Sequence, residues 1–311
     1  MANSGLESLP VYRVAVLLTC YNGEKFIESQ IVSILFQSSC EVKIFISDDN
    51  SIDSTVQVLK KLAFKYPKSI DFSVTDKNMG SAGKNFFSLI EKYDCSEYDF
   101  IAFSDQDDIW ESDHLSSAIK ISLSEGYHGI SSNVLAFFPD GRKQIYRKNQ
   151  PQKKYDFFFE SPGPGCTFVL TKPLYAYVRS VLVNNRIIVE RVFHHDWLVY
   201  AVARSADFKW FIREAPLVHY RQHDNNETGA RIGFKSMLAR LKKMRSGWYG
   251  DQIHKVATVV RATGCMDRDP MLMCIFSRKN YYQLFRWITQ TRRTSLDQLF
   301  FCLAILVRWV K

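Results

Sequence analysis

The 311-residue chain lacks paired cysteines of the kind that staple or chelate. Cys20, Cys40, Cys95, Cys166, Cys265, Cys274 and Cys302 stand singly, odd in number and without a C-x-x-C. A disulfide framework and a structural zinc site are therefore not expected, and a reducing, cytoplasmic setting is. Met1 to Pro10 carries no apolar h-region, so no signal peptide is expected there. Long hydrophobic runs are missing too. The longest, Leu299 to Val310, falls short of the roughly 20 residues a helix needs to cross a bilayer. Repeats and low-complexity tracts are absent, which sets aside solenoid and disordered readings. A P-loop NTPase is disfavoured because Gly163-Pro-Gly165 is not followed by Lys-Ser/Thr. No G-x-G-x-x-G follows the first apolar run, and no G-x-S-x-G elbow occurs. Dinucleotide enzymes and α/β-hydrolases are disfavoured with it.

What is present is enough to build a large core, since 46% of residues are apolar and 14% aromatic. The net charge of +9 is unevenly spread: residues 231–311 hold sixteen Lys and Arg against four Asp and no Glu, a net +12, leaving the first 230 at −3. A near-neutral body, 1–230, and a helical basic C-terminal region, 231–311, are expected, with an anionic partner for the latter. The bland alternative is a solvated basic helix bundle.

Val14-Ala-Val-Leu-Leu-Thr19 predicts a buried strand, ended by the turn Cys20-Tyr-Asn-Gly23. Phe26, Ile27, Ile31, Ile34 and Leu35 follow at helical spacing. Val42–Ile46, Asp71–Thr75 and Phe100–Phe103 predict three more strands, with helices between them. This alternation argues for an α/β fold with a doubly wound, mostly parallel sheet. The region from Ile130 to Phe211 reads as less regular, with Leu217–Tyr220 as a further strand.

In such sheets ligands sit beyond the carboxyl ends of the strands, which is where the acidic clusters fall. Three carboxylates in Asp105-Gln-Asp-Asp108 repel one another unless a cation compensates. A hard divalent ion bridging to a diphosphate is the natural compensation, and acidic helix capping is the alternative. Asp48-Asp49 ends the second strand in the same way, suited either to base or ribose contacts or to turn chemistry. Asp196, in His194-His-Asp-Trp197, suits a helix cap or a general base. His219 and His223 are spaced i, i+4, but the Leu-Val run before them argues against a helix, so at most one is expected to act.

In this order and spacing the motifs resemble family 2 glycosyltransferases. Thr19–Phe26 is similar to that family's opening strand and turn. Ser47-Asp-Asp-Asn-Ser-Ile-Asp53 is similar to its D-D-G-S-T-D segment, with Asn50 and Ile52 replacing the usual Gly and Thr. Asp105-Gln-Asp-Asp-Ile-Trp110 resembles the D-Q-D-D-x-W form of rhamnosyltransferase-like members. Gly165-Cys-Thr167, His195-Asp-Trp197 and Tyr220–Asn226 resemble the later acceptor-side, base and Y-R-Q-H-G-x-N segments, with Asp224 in place of Gly.

The resemblance spans about Val14 to Gly229. It implies a GT-A fold and an inverting, metal-dependent hexosyl transfer from a nucleotide sugar, possible donors including dTDP-rhamnose. Thr19, Tyr21, Asp48, Asp49, Lys84, Asp105 and Gln106 would bind the nucleotide. Asp105, Asp107 and His223 would hold Mg²⁺ or Mn²⁺. Gly165, Cys166 and Trp197 would face the acceptor, and Asp196 would be the catalytic base. The acceptor would be a saccharide or lipid-linked sugar of surface polysaccharide (O-antigen) synthesis. Met237–Met244 and Tyr282–Val310 would touch an anionic membrane at its inner face. The rivals are a metal-dependent nucleotidyltransferase or sugar-nucleotide-processing enzyme and a non-enzymatic nucleic-acid-binding protein, and no nucleic acid is expected.

Overall fold

The apolar run at Val14 becomes β1 (Tyr12–Cys20), and Val14 to Leu18 have no solvent exposure. A strand covered on both faces reads as a continuous apolar run, not an alternation. Along β1 lie, in parallel, β2 (Cys40–Asp48) on one side and β4 (Phe100–Ser104) on the other, with β3 (Ile70–Val74) outside β2. The crossovers are α1 (Ile27–Leu35), α2 (Thr55–Lys65) and α3 (Ala82–Lys92). Strand order thus reverses between β1 and β4, which opens a crevice at their carboxyl ends.

The computed structural model describes residues 11–223, 245–277, 281–307 and 309. Among these residues the strands form two sheets. The larger, of seven strands, has the order β10-β6-β9-β4-β1-β2-β3, where β6 is Gly129–Ser132, β9 is Val169–Thr171 and β10 is Trp210–Arg213. Short β9 is antiparallel to both β4 and β6. The smaller sheet, β5 (Ile109–Trp110), β11 (Val218–Arg221), β7 (Val134–Phe137) and β8 (Lys143–Tyr146), organises much of the region that reads as irregular in the sequence. Its effect on the site is direct: β4 and β5 flank the 105–108 loop, so that loop is pinned between two sheets.

Helices α4 (His114–Glu125), α5 (Lys172–Asn184), α6 (Arg186–Val189) and α7 (His195–Ser205) complete the body. The basic region contributes α8 (Trp248–Ala262), α9 (Pro270–Phe276), α10 (Ile288–Thr291) and α11 (Ser295–Leu306). Residue 230 marks a change in charge, and the core continues past it. Ile253, Val256 and Val260 of α8, Met271 of α9 and Phe301 and Ile305 of α11 share one apolar cluster with Leu198 and Tyr200 of α7 and Phe86 of α3. The sequence-expected anchor segment Met237–Met244 and the Asp224–Asn226 segment lie outside the described residues.

Candidate active site

The carboxyl ends of β1, β2 and β4 and the start of α7 line one cavity of about 1090 Å³. On the β2 side Asp49 faces it. Met79 N–H donates to its Oδ1 at 2.7 Å, and the Thr75 hydroxyl approaches the same oxygen at 3.4 Å. Burial raises the Asp49 pKa, while the Met79 and Thr75 donors oppose that rise. Thr19 and Tyr21 line the same wall. Asn50, where the family pattern has Gly, adopts φ +59°, a left-handed conformation that Asn tolerates better than most residues. The turn therefore keeps a backbone conformation open to Gly.

Asp48 departs from the expected nucleotide contact. It is fully buried, accepts from Ser51 N–H (2.9 Å) and the Ser51 hydroxyl (2.6 Å), and lies against the Cys20 thiol. Its carboxylate closes the turn from inside. Lys84 departs as well: it is exposed on α3, where its backbone N–H is capped by the Ser81 hydroxyl, and it is not among the residues lining the cavity. Gln106 lines the cavity, but its amide latches two strand ends together. Its Oε1 accepts Tyr21 N–H at 2.8 Å, and its Nε2 donates to Tyr21 O at 3.0 Å. These two bonds span the β1–β4 crevice.

Asp105 and Asp107 both line the cavity with His223. His223 Nε2 lies 2.6 Å from Asp107 Oδ2, and its ring stacks on Phe26 at 5.2 Å. Arg221 ties the loop to β11: its Nε donates to Asp107 O at 2.9 Å and its N–H to Asp108 Oδ1 at 3.2 Å. The Arg221 guanidinium sits over the rings of Phe26 and Phe137. His219, the other member of the i, i+4 pair, instead meets Glu111 at 2.7 Å. Positions i and i+4 of a strand share a face, but β11 ends at Arg221, so His223 lies beyond the strand and is not bound by that alternation.

A second grouping places ligand atoms of Asp105, Asp108 and Cys166 within 4.8 Å of one another. Asp108 and Cys166 are fully buried beneath the loop. Burial first, then the charges of Asp107 and Asp105, push the Asp108 carboxyl well above its usual range. Burial, then Asp108, push the Cys166 thiol up. Asp108 and Cys166 are sealed from solvent, which makes them a poor seat for an ion that must reach a substrate. Asp105, Asp107 and His223 open to the cavity and are of the residue types a divalent cation takes, but their ligand atoms do not all lie within 4.8 Å of one another as those of Asp105, Asp108 and Cys166 do. Cys166, expected on the acceptor side, is fully buried under the loop and is not among the residues lining the cavity.

Asp196, in the first turn of α7, also lines the cavity. Its Oδ1 accepts Trp197 N–H at 2.7 Å and its Oδ2 accepts the Ser161 hydroxyl at 2.9 Å. Trp197 lines the wall beside it, its indole N–H donating to Phe157 O at 2.9 Å. The 161–165 loop crosses in front. Gly163 has φ +146°, which disfavours any side chain. A Cβ on Gly165 would lie 2.3 Å from His195 Nε2, so only Gly lets the loop approach α7 this closely. His195 stacks on Phe86 at 3.9 Å, and burial holds its pKa down at about 4, partly offset by Asp196.

Of the sequence-derived set, Thr19, Tyr21, Asp49, Asp105, Gln106, Asp107, Gly165, Asp196, Trp197 and His223 meet at one cavity. Ser161 carries no motif signal, and Arg221 belongs to the Y-R-Q-H segment without a role implied there; only the tertiary contacts single them out.

A family model described as Glycosyl transferase family 2 matches residues 15–193, from β1 to just before α7. The dTDP-rhamnosyl transferase RfbG of Shigella flexneri is 40% identical over 243 residues, covering 78% of this chain and 84% of the relative. TarS 1–349 of S. aureus, solved with UDP-GlcNAc, aligns with a TM-score of 0.52 at 14% identity over 89% of this chain and 79% of that one. The mannosyltransferase PcManGT of Pyrobaculum calidifontis, solved with GDP-Man and Mn²⁺, aligns at 0.50 and 13% identity over 95% and 81%. At those identities the two structures speak to the fold, which is GT-A. The chain belongs to glycosyl transferase family 2 and is a glycosyltransferase, which decides against the nucleotidyltransferase reading.

Proposed function

We propose that this family 2 glycosyltransferase moves rhamnose from dTDP-rhamnose, with inversion, to a saccharide or lipid-linked acceptor in surface polysaccharide synthesis. The observation that carries the reading is that Asp105, Asp107, His223 and Asp196 open on one cavity. The identity of the donor is favoured by the RfbG relative.

In this reading Asp49 and Thr19 bind the nucleoside, and the Gln106–Tyr21 latch shapes its pocket. Asp105, Asp107 and His223 would hold Mg²⁺ or Mn²⁺, which when bound stabilises charge on the departing diphosphate. Asp196 takes the proton from the acceptor hydroxyl. The hydroxyl oxygen bonds to the anomeric carbon as the bond from that carbon to the diphosphate oxygen breaks. Attack opposite the leaving group inverts the centre. Trp197 and the Gly163–Gly165 loop flank the acceptor beside the base.

Membrane contact is part of the proposal. No helix among the described residues is long and apolar enough to cross a membrane. One face of α11 and the residue after it expose Leu296, Leu299, Leu303, Leu306 and Val307, while Phe301, Ala304 and Ile305 are buried on the other. An apolar stripe within a region of net +12 fits a peripheral seat on an anionic bilayer, at the inner face of the cell membrane.

The test is calorimetric titration of dTDP-rhamnose, UDP and GDP sugars with Mn²⁺ or Mg²⁺, then with chelator. Metal-dependent binding of dTDP-rhamnose alone is expected. Preference for another base, or binding indifferent to chelator, would overturn the donor or the metal assignment respectively.

A further inference from the structure

Asp196 is held by one donor from its own helix and one from outside it, and the outside donor is Ser161, whose single hydroxyl proton is divided between Asp196 Oδ2 at 2.9 Å and Gly163 O at 2.5 Å. Ser161 ends a three-residue strap, Phe159-Glu160-Ser161, and each residue of that strap is bonded to the basic C-terminal region. Phe159 O accepts the Tyr249 hydroxyl at 2.6 Å and Arg292 Nη1 at 2.7 Å. Glu160 accepts the Arg293 N–H at 2.7 Å and its guanidinium at 3.3 Å. Ser161 O accepts Arg293 Nη2. The Tyr249 ring also stacks on Trp197, the residue after Asp196, at 5.9 Å.

The Arg293 side chain has no exposure, and its second acidic neighbour, Asp156, lies 3.7 Å away and is equally buried. A buried guanidinium is costly unless its geometry is used. Here Nη2 donates to Glu160 and to the carbonyl of the residue that holds the base, while Nη1 lies 3.7 Å from the Asp156 carboxylate. A tail that served only to touch lipid would have no reason to send an arginine there.

We propose that Arg293 is a positioning residue for catalysis: through Glu160 and the Ser161 carbonyl it sets the strap so that the Ser161 hydroxyl orients Asp196 and stabilises its carboxylate. The C-terminal region thereby completes the active site in solution, with or without a membrane. This inference rests on the assignment of Asp196 as the base.

The experiment uses the full-length protein with dTDP-rhamnose and Mn²⁺, following dTDP release to water and separating kcat from the donor KM. Ser161→Ala is expected to lower kcat about 10-fold with donor KM unchanged, because the carboxylate loses the hydroxyl that orients it. Arg293→Lys, which keeps the charge but carries no group at the Nη2 position, is expected to lower kcat about 10- to 100-fold, again with donor KM unchanged. Donor binding by calorimetry stays unchanged in both. Adding Ser161→Ala to Arg293→Lys gives no further loss if both act through one hydrogen bond. An unchanged kcat in Ser161→Ala overturns the proposal, and so does an Arg293→Lys loss that merely follows a lowered melting temperature. Failure of the underlying reading looks different: Asp196→Asn would then retain turnover.

Discussion

His223, just beyond the end of β11, reaches the acidic loop after β4 and brings its Nε2 to 2.6 Å from Asp107 Oδ2. The contact ties the end of the smaller sheet's β11 to the acidic loop beside the cavity. His223→Ala is expected to weaken Mn²⁺-dependent dTDP binding about 10- to 100-fold, and Asp107→Ala to remove the metal dependence. Calorimetry with Mn²⁺ and with chelator reads both. Unchanged Mn²⁺-dependent binding in His223→Ala would take the imidazole out of the metal site.

The Gln106 latch spends both ends of an amide on the Tyr21 backbone. Two neutral hydrogen bonds at a half-exposed site contribute about 1–2 kcal/mol together. Gln106→Ala should therefore lower donor affinity about 5- to 20-fold, with a fall in melting temperature of a few degrees. A variant that melts lower yet binds donor as well as the parent would show that the latch serves stability and leaves the pocket alone.

His195 is buried as the neutral imidazole, its pKa held at about 4 chiefly by burial. An unfolded histidine titrates near 6.5, so between these values the unfolded chain binds the extra proton and folding weakens as pH falls. Stability lost on this account reaches about 2 kcal/mol at pH 5. Urea unfolding at about pH 7 and about pH 5 measures it, and His195→Asn, which does not titrate, should remove that part of the slope. Equal losses in parent and variant would assign the acid sensitivity elsewhere.

The α11 stripe gives the membrane reading its own test. Leu299→Glu with Leu303→Glu should reduce sedimentation with phosphatidylglycerol vesicles while leaving donor binding intact, because both side chains are exposed and far from the core face. Binding should also fall with salt and be weaker on phosphatidylcholine alone. If the double variant still sediments fully, the contact lies on another surface.

Local pattern carried much of this protein. The run Val14–Thr19, the strand at Val42 and the strand at Phe100 follow from residue type and period, and each ends in the turn or acidic residues expected of it. The doubly wound sheet and the acidic loop were legible for that reason, while the GT-A fold followed from the family resemblance of the motifs. Neighbouring residues were not separable. Asp48 and Asp49, like Gly165 and Cys166, stand side by side in sequence, yet one of each pair meets the cavity and the other is buried under it. Which one faces out is set by strand register and loop path, and a one-residue shift reverses it. The antiparallel β9 and the four-stranded second sheet depend on pairings between distant segments, which no window of sequence contains. The same is true of Ser161 at Asp196 and Arg293 at Ser161. The basic tail announces itself by charge, but only the tertiary structure brings its buried arginine to the strap beside Asp196, because a desolvated guanidinium is stable only where the fold has gathered carboxylates and a carbonyl to meet it.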